Sequence, residues 1–264
     1  MYPELKKAGG LSNALNIEFA KINSSLRVVS NDYAYKIPVV YARVENDNKL
    51  SQIYIAAEEK LYMPDFWRDG VCLAHAKTND ISSLATVVDF WLNHDVPTKV
   101  LAEKFSFVQP ADKAKAFDEG NEVVYTWNCI LENDSKTELY DFIKLAITDE
   151  ILSKLFPFTS LYTLCFSRCT GYPYDIDDLP KVTPKQFEHF AVQNYKRDGK
   201  HERASGSFEH VFVVSKGMNE IIGEGNAEEA LRIVKDNLPD NIKPAIKGTK
   251  DTMHLYQNTF NQHL

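Results

Sequence analysis

The feature that most constrains the fold is a block of helical sequence set between two stretches with strand-like patterns. Apolar residues from Leu84 to Leu92 recur at positions i, i+3, i+4, i+7 and i+8, which is typical of one buried helix face. Asp80 stands where an N-cap is expected. Strands, then helices, then strands favour an α+β protein over regular alternation of strand and helix. We therefore expect antiparallel or mixed β-sheet regions at both ends of the chain and a central block of helices.

The same patterns predict where the elements lie. Predicted helices cover Leu11–Ile22, Leu84–Leu92, Pro97–Phe105, Ala111–Leu131, Leu139–Ile147 and Asp149–Leu155, and a last one follows Asn226, which forms a capping box with Glu229. Predicted strands cover Leu26–Ser30, Pro38–Val44, Gln52–Ala57, Val71–Ala76, Ser160–Ser167, Phe187–Gln193, His210–Ser215 and Asn219–Ile222, with a polar loop at Asn194–Ser207. We expect an N-terminal helix and β-meander over 1–78 and a helical block, sheet and helix over 79–264, with one continuous domain as the alternative.

The charge of the chain narrows its partners. The formal net charge is −7. Nucleic-acid binders concentrate Lys and Arg, because neutralised phosphates supply most of their affinity. The acidic balance argues against a nucleic-acid partner and favours a basic protein. No apolar run approaches the roughly 18 residues that a membrane helix needs, so we expect no membrane partner.

The cysteines indicate a reducing compartment. The four cysteines are Cys72, Cys129, Cys165 and Cys169, and no two have the CxxC spacing of a zinc or thioredoxin motif. We expect free thiols. The first residues show no apolar core followed by a cleavage site, so no signal peptide is predicted. The expected location is the cytoplasm.

Three motifs fail on their spacing or charge. Residues 223–228 enter a helix like a dinucleotide-binding loop, but Glu228 replaces the third glycine and negative charge surrounds the expected phosphate position. Residues 175–178 hold three carboxylates without the glycine and glutamate of a calcium loop. In the helical pair within 84–105, Thr98 and Lys99 suit a DNA-reading helix, but Glu103 and the acidic chain argue against one. We expect no cofactor and no metal.

Cys169 is considered as a nucleophile because the neighbouring Arg168 would lower its pKa. A phosphate-binding loop of the tyrosine-phosphatase kind needs an arginine six residues after the cysteine, and Asp175 occupies that position. The phosphate clamp is therefore missing. No catalytic residue is assigned.

The stretch after the predicted strand Ser160–Arg168 is the place where we expect a ligand. Both faces of that strand are largely apolar, so it is predicted to be central, with Arg168 emerging at its end. A half-buried arginine needs a partner, and Asp175, Asp177 and Asp178 are candidates. Either Arg168 holds this loop to the fold, or the loop binds an anionic or aromatic group through Arg168, Cys169, Tyr172, Tyr174 and Asp175.

Four segments carry a family resemblance. They are Leu-Phe-Pro-Phe-Thr-Ser (155–160), Phe-Ser-Arg-Cys-Thr (166–170), Gly-Glu-Gly-Asn-Ala-Glu-Glu-Ala (223–230), and a stretch within 237–249 that contains Asn-Leu-Pro, Pro-Ala and Gly-Thr. They resemble an uncharacterised bacterial family of unknown function that is loosely labelled a natural product biosynthesis family. The resemblance covers roughly the C-terminal two-thirds of the chain, with a helix like that at Trp91. It implies no catalytic motif.

Two functions follow from these observations. The first is a non-enzymatic cytoplasmic interaction protein, such as an inhibitor or immunity protein that binds a basic partner. It rests on the acidic charge, the 15 Phe and 13 Tyr, and the missing catalytic motif. The second is an enzyme or accessory protein that acts on a small molecule in bacterial biosynthesis. The second function requires a concave pocket at Arg168, Cys169 and the nearby tyrosines.

Overall fold

A computed structural model of the chain describes residues 1–28, 40–134, 137–190, 210–217 and 220–252. The chain divides into two compact units, Met1–Gly120 and Asn121–Leu264. The predicted boundary after residue 78 falls within the first unit, because the helices that follow it pack on the first sheet. The α+β class is confirmed: each unit has its own antiparallel sheet, and helices lie between the two sheets in sequence.

The first unit contains a five-stranded meander in which each strand pairs with the next. Its strands are β1 (Tyr41–Asn46), β2 (Lys49–Ile55), β3 (Tyr62–Arg68), β4 (Val71–Ala76) and β5 (Val108–Pro110). The predicted N-terminal meander is confirmed, but β3 and β5 were not predicted. Pro64 lacks an N–H and Asp65 is charged, so β3 does not read as a central strand from its sequence. In the structure β3 alternates buried and half-buried side chains.

Helices of the first unit cover the buried face of this sheet. They are α1 (Pro3–Ala8), α2 (Leu11–Lys21), α3 (Ile81–Asn93), α4 (Thr98–Lys104) and α5 (Ala114–Glu119). The predicted cap of α3 is confirmed, because the Asp80 carboxylate accepts a 2.7 Å hydrogen bond from the Ser83 amide. Trp91 on α3 is fully buried and meets Phe66 of β3 edge to face, at a centroid distance of 6.0 Å. Such contacts make the apolar stripe of α3 part of the core.

The second unit also contains a five-stranded antiparallel sheet in which each strand pairs with the next. Its strands, in spatial as well as sequence order, are β6 (Phe156–Ser160), β7 (Thr163–Ser167), β8 (Lys181–Pro184), β9 (Phe212–Lys216) and β10 (Glu220–Gly225). Its helices are α6 (Glu122–Asn133), α7 (Tyr140–Ala146) and α8 (Ala227–Asp236), with 3₁₀ turns at Leu152–Lys154 and Lys185–Phe190. The predicted capping box of α8 is confirmed: the Asn226 side chain accepts the Glu229 amide, and the Glu229 carboxylate accepts the Asn226 amide.

The core of the second unit lies between its sheet and its helices. Trp127 of α6 is 1% exposed, and its ring centroid lies 6.2 Å from that of Phe166 of β7. The Trp127 Nε1–H donates a hydrogen bond to the Leu155 carbonyl at 3.1 Å. A buried indole keeps a partner for its N–H in this way. Phe142 and Phe212 extend the same cluster.

Two predicted elements are wrong because a turn interrupts them. The predicted helix Ala111–Leu131 is broken into α5 and α6, because Gly120 adopts a left-handed φ of 77° and ends α5. The predicted strand Ser160–Ser167 is instead a hairpin of β6 and β7. Leu161 has φ of 56° at its turn and is 73% exposed, so it is not core.

Other predictions are shortened or lie partly outside the described residues. The predicted helix at 149–155 shrinks to the 3₁₀ turn Leu152–Lys154. The predicted strand at 187–193 is wrong for its described part, which is 3₁₀. In the predicted strand at 26–30, Val28 makes an isolated bridge to Val44. The predicted loop at 194–207 and residues 29–30, 38–39, 191–193 and 219 lie outside the described residues.

The structure also bears on membrane-spanning helices and on the state of the cysteines. Within the described ranges, no helix combines the length and apolar character needed to cross a membrane. All four cysteines are free thiols, with Cys165 and Cys169 buried and Cys72 and Cys129 partly exposed.

Candidate functional site

The loop that follows β7, residues 168–178, is held by an ion pair inside it. The Arg168 Nε donates to Asp175 Oδ2 at 2.7 Å, and one terminal nitrogen donates to Asp175 Oδ1 at 3.3 Å and to the Asp177 carbonyl at 2.7 Å. The Arg168 amide also donates to the Asp175 carbonyl at 3.0 Å. Paired hydrogen bonds of this kind fix the geometry as well as the charge. The guanidinium is therefore occupied by the loop itself.

Cys169 is buried beneath this ion pair. Its Sγ accepts the Asp175 amide at 3.2 Å, and its carbonyl accepts the Ser167 hydroxyl at 2.7 Å. Burial raises the pKa of the Cys169 thiol, although the Ser167 and Asp175 hydrogen bonds act in the opposite direction. The expected lowering of this pKa by Arg168 is wrong, because the charge of Arg168 is balanced by Asp175. A buried neutral thiol is a weak nucleophile.

A second segment, residues 245–250, fixes the loop from the other side. Cys169 and Ile246 form a parallel bridge, so the segment runs beside the loop like a short extra strand. Main-chain hydrogen bonds of 2.7 to 3.1 Å join Ile246 to Arg168 and Thr170, Gly248 to Gly171, and Lys250 to Pro173. No sequence pattern predicts that this segment pairs with the loop. The Pro-Ala pair at 244–245 and the Gly-Thr pair at 248–249 do not indicate which segment they contact.

Aromatic rings form a ladder from β6 to the tip of the loop. Tyr174 stacks on Phe158 at a centroid distance of 4.3 Å and also lies 5.7 Å from Phe156. Tyr172 meets Tyr174 edge to face at 5.8 Å and is itself 69% exposed. Offset and edge-to-face pairs add stability beyond their buried area. Tyr172 is thus an exposed aromatic ring that packs on the stacked ring of Tyr174.

We call Tyr172, Ile176, Asp177 and Asp178 the loop surface, because all four are exposed on the 168–178 loop. Ile176 is 46% exposed, unusually high for a β-branched aliphatic side chain. The Lys250 ammonium forms an ion pair with the Asp177 carboxylate. The surface therefore combines an aromatic ring, an aliphatic side chain and two carboxylates.

The five sequence-predicted site residues are brought together, but they do not face one space. Arg168, Cys169 and Asp175 turn inward and stabilise the loop. Tyr174 lies between the rings of Phe158 and Tyr172. Tyr172 alone of the five is an exposed side chain. The interpretation in which Arg168 holds the loop therefore matches the observed geometry.

Comparison with known proteins finds a family match for the part of the chain that contains this loop. Residues 122–213 match the model of a family of unknown function, DUF6193. The expected resemblance to such a family is confirmed for these residues. The matched residues run from α6 into β9 and include the whole 168–178 loop, whereas residues 245–250 and Trp91 lie outside the match. Searches of curated proteins and of solved structures returned no match.

A further group of chemically active side chains lies outside residues 122–213, in the first unit. Asp65 of β3 and Cys72 and His75 of β4 place one potential ligand atom each within 4.8 Å of one another. This group is not predicted from the sequence, which led us to expect no metal site. Cys72 and His75 are three residues apart, and side chains at that spacing point to opposite faces of a regular strand.

Proposed function

We propose that this chain is a non-enzymatic cytoplasmic protein that binds a basic protein partner through the loop surface. The observation that carries the proposal is Tyr172. Its side chain is 69% exposed, and its ring packs edge to face on the ring of Tyr174 in the same loop. Tyrosine is among the residues that dominate binding energy at protein interfaces. A ring that is already positioned loses little conformational freedom when a partner covers it.

The charges around Tyr172 support a basic partner. Residues 168–178 contain three aspartates and one arginine, and that arginine is paired with Asp175. Asp177 and Asp178 are exposed beside Ile176, and because Asp177 is paired with Lys250, Asp178 carries the main negative charge of this surface. A partner with Lys or Arg near an apolar patch would complement this surface. Charge complementarity of this kind raises association rates and selects among partners. The net charge of −7 has the same sign.

An inhibitor or immunity protein for a basic toxin is the kind of interaction protein that fits this surface. The alternative, an enzyme or accessory protein acting on a small molecule, needs Arg168 and Cys169 to be available. The ion pair of Arg168 and the raised pKa of the Cys169 thiol favour binding over catalysis at this loop.

The test uses purified chain as bait for proteins of its own host, followed by measurement with each purified candidate partner. We expect a one-to-one complex with a basic protein whose affinity falls roughly 30-fold or more in Tyr172→Ala and also falls in Asp178→Asn. Rising salt should weaken it. Matched controls are Tyr54→Ala and Asp112→Asn, which remove an exposed ring and an exposed carboxylate from the first unit.

The controls decide the outcome. Capture alone does not support the proposal, because any acidic protein retains some basic proteins. Equal affinities for the wild type, the Tyr172 variant and the control variants would contradict it. So would a partner whose binding is lost only when Arg168 or Cys169 is replaced, since that result places the site inside the loop.

A further inference from the structure

A β-bulge in β4 creates the group formed by Asp65, Cys72 and His75. Asp65 lies opposite His75 and Phe66 lies opposite Ala74, but Trp67 lies opposite Cys72. Leu73 is therefore an extra residue in β4, without a partner of its own on β3. A bulge shifts the alternation of side chains by one position.

This shift places Cys72 and His75 on the same face of the sheet. Leu73 and Ala74 are both buried, although neighbours on a regular strand face opposite sides. Cys72 is half-buried and His75 is exposed on the other face. Asp65 belongs to the half-buried face of β3, directly across from His75. All three side chains consequently share one accessible face.

The distances suit a single small cation. His75 Nδ1 lies 2.7 Å from Asp65 Oδ1, and Cys72 Sγ lies 3.9 Å from His75 Nδ1 and 3.8 Å from Nε2. Ligand atoms around a tetrahedral zinc ion, with bonds of about 2.0 to 2.3 Å, lie roughly 3.3 to 3.6 Å apart. All three ligand atoms lie within 4.8 Å of one another, so the side chains need movements on the order of 1 Å to reach this spacing. A cation bound there would take the place of the hydrogen bond that joins His75 to Asp65.

We propose that Asp65, Cys72 and His75 bind a divalent transition-metal ion of the zinc type. Thiolate and imidazole ligands select zinc over calcium and magnesium, which prefer sets of oxygen ligands. The three ligands leave a fourth position that solvent or a ligand can fill. The site lies in the first unit, so it is independent of the loop surface in the second.

The same three residue types also occur in cysteine nucleophile triads, but this environment fits a metal better. Burial, followed by the charge of Asp65, raises the pKa of Cys72 to about 11. A thiol of that kind is a poor nucleophile at neutral pH. A bound zinc ion deprotonates a coordinating thiol, so zinc binding at Cys72 would release a proton and should strengthen as the pH rises.

The experiment is a titration of the metal-free full chain with Zn²⁺, followed by calorimetry, and with Co²⁺, followed by absorption. We expect one ion to bind at this site and a thiolate-to-cobalt charge-transfer band to develop with the same stoichiometry. Cys72→Ser should abolish the band, and His75→Gln and Asp65→Asn should each weaken zinc binding by at least roughly tenfold. Mg²⁺ should not compete.

Matched controls are Cys129→Ser and His94→Gln, which remove a half-exposed thiol and an exposed imidazole elsewhere. Both should bind zinc like the wild type. Circular dichroism and the urea midpoint of each metal-free variant establish that it is folded. A band that survives in Cys72→Ser, or zinc affinity that is equal in all five variants, would overturn the proposal. Neither result bears on binding at the loop surface.

Discussion

Arg168 and Asp175 are joined by two hydrogen bonds, from Nε to Oδ2 at 2.7 Å and from a terminal nitrogen to Oδ1 at 3.3 Å. The side chains are 23% and 11% exposed, so solvent screens the pair only in part. Arg168→Met leaves Asp175 without its counter-charge and frees the Asp177 carbonyl. We expect the free energy of unfolding to fall by roughly 2 kcal/mol, measured by urea denaturation.

The control for Arg168 is Lys154→Met, which removes an exposed cation from the same unit. That change should alter stability by less than about 0.5 kcal/mol. Arg168→Lys should fall between the two, because lysine keeps the charge but loses the paired geometry. Equal stabilities for Arg168→Met and the wild type would show that the loop does not depend on the ion pair.

Asp118 is the counter-ion of a buried arginine in the first unit. It forms an ion pair with Arg68, each side chain being 8% exposed, and it accepts the Thr98 amide at 2.8 Å. Asp118→Asn keeps an acceptor for Thr98 but leaves the Arg68 charge buried and unpaired. We expect a loss of about 3 to 5 kcal/mol in the free energy of unfolding.

A second replacement separates charge from packing at this position. The double variant Arg68→Met, Asp118→Asn removes both charges of this ion pair, so it should be more stable than the single variant Asp118→Asn. Urea unfolding of both proteins at the same pH measures the difference. A double variant that is less stable than the single one would show that the packing of Arg68, including its position 5.8 Å from the Trp91 ring centre, outweighs its charge.

Asp149 should make the second unit sensitive to acid. Burial alone would raise the pKa of Asp149, but the Lys235 ammonium at 2.7 Å and the Leu152 and Ile151 amides at 3.0 Å outweigh it. The pKa therefore lies below its ordinary value of 3.8. As the pH falls, the unfolded chain takes up this proton first, so stability is present above about pH 4 and declines through the folded-state pKa.

Asp149→Asn tests this pH dependence. The variant should be less stable than the wild type at neutral pH, and the difference should shrink as the pH falls below about 4, because the wild type then loses its own contribution. Urea midpoints across the acidic range measure the change. Asp240→Asn, which removes an exposed carboxylate, is the control. A difference that stays constant with pH would contradict the assigned role.

Leu161 at the β6–β7 turn carries backbone strain. Its φ is 56° and it is 73% exposed, so the side chain gains little from packing while its Cβ crowds the backbone. Leu161→Gly should raise the free energy of unfolding by up to about 1 kcal/mol. Leu161→Ala keeps the Cβ and should gain much less. Thermal unfolding of both variants distinguishes relief of strain from removal of an exposed apolar group.

Helices were the elements that local sequence predicted best. The apolar period of α3, with Asp80 before it, and the Asn226–Glu229 box of α8 both depend on residues within a few positions of each other. Strands depend on partners far along the chain. Pro157 in β6 is tolerated because β6 is an edge strand, and the sequence alone does not reveal that position.

The same distinction applies to the two sites. The Arg168–Asp175 pair spans seven residues, so a short list of acidic candidates contained the correct partner. The position of the Tyr172 ring depends on its contact with Tyr174, which stacks in turn on Phe158 of β6, a different element. Asp65, Cys72 and His75 meet only because the register between β3 and β4 shifts. A register shift between strands leaves no local trace in composition or spacing.

The extra residue Leu73 has an evolutionary consequence. Cys72 lies opposite Trp67 and His75 lies opposite Asp65, and these two residues of β3 are two positions apart. A related chain without Leu73 and without the bulge would therefore still carry Cys72 and His75 on one face, because side chains two positions apart on a regular strand point the same way. A chain that keeps Leu73 but loses the bulge would separate them. In an alignment of related chains, a one-residue gap at Leu73 is thus compatible with the Asp65, Cys72 and His75 group, and the loss of a ligand residue is not.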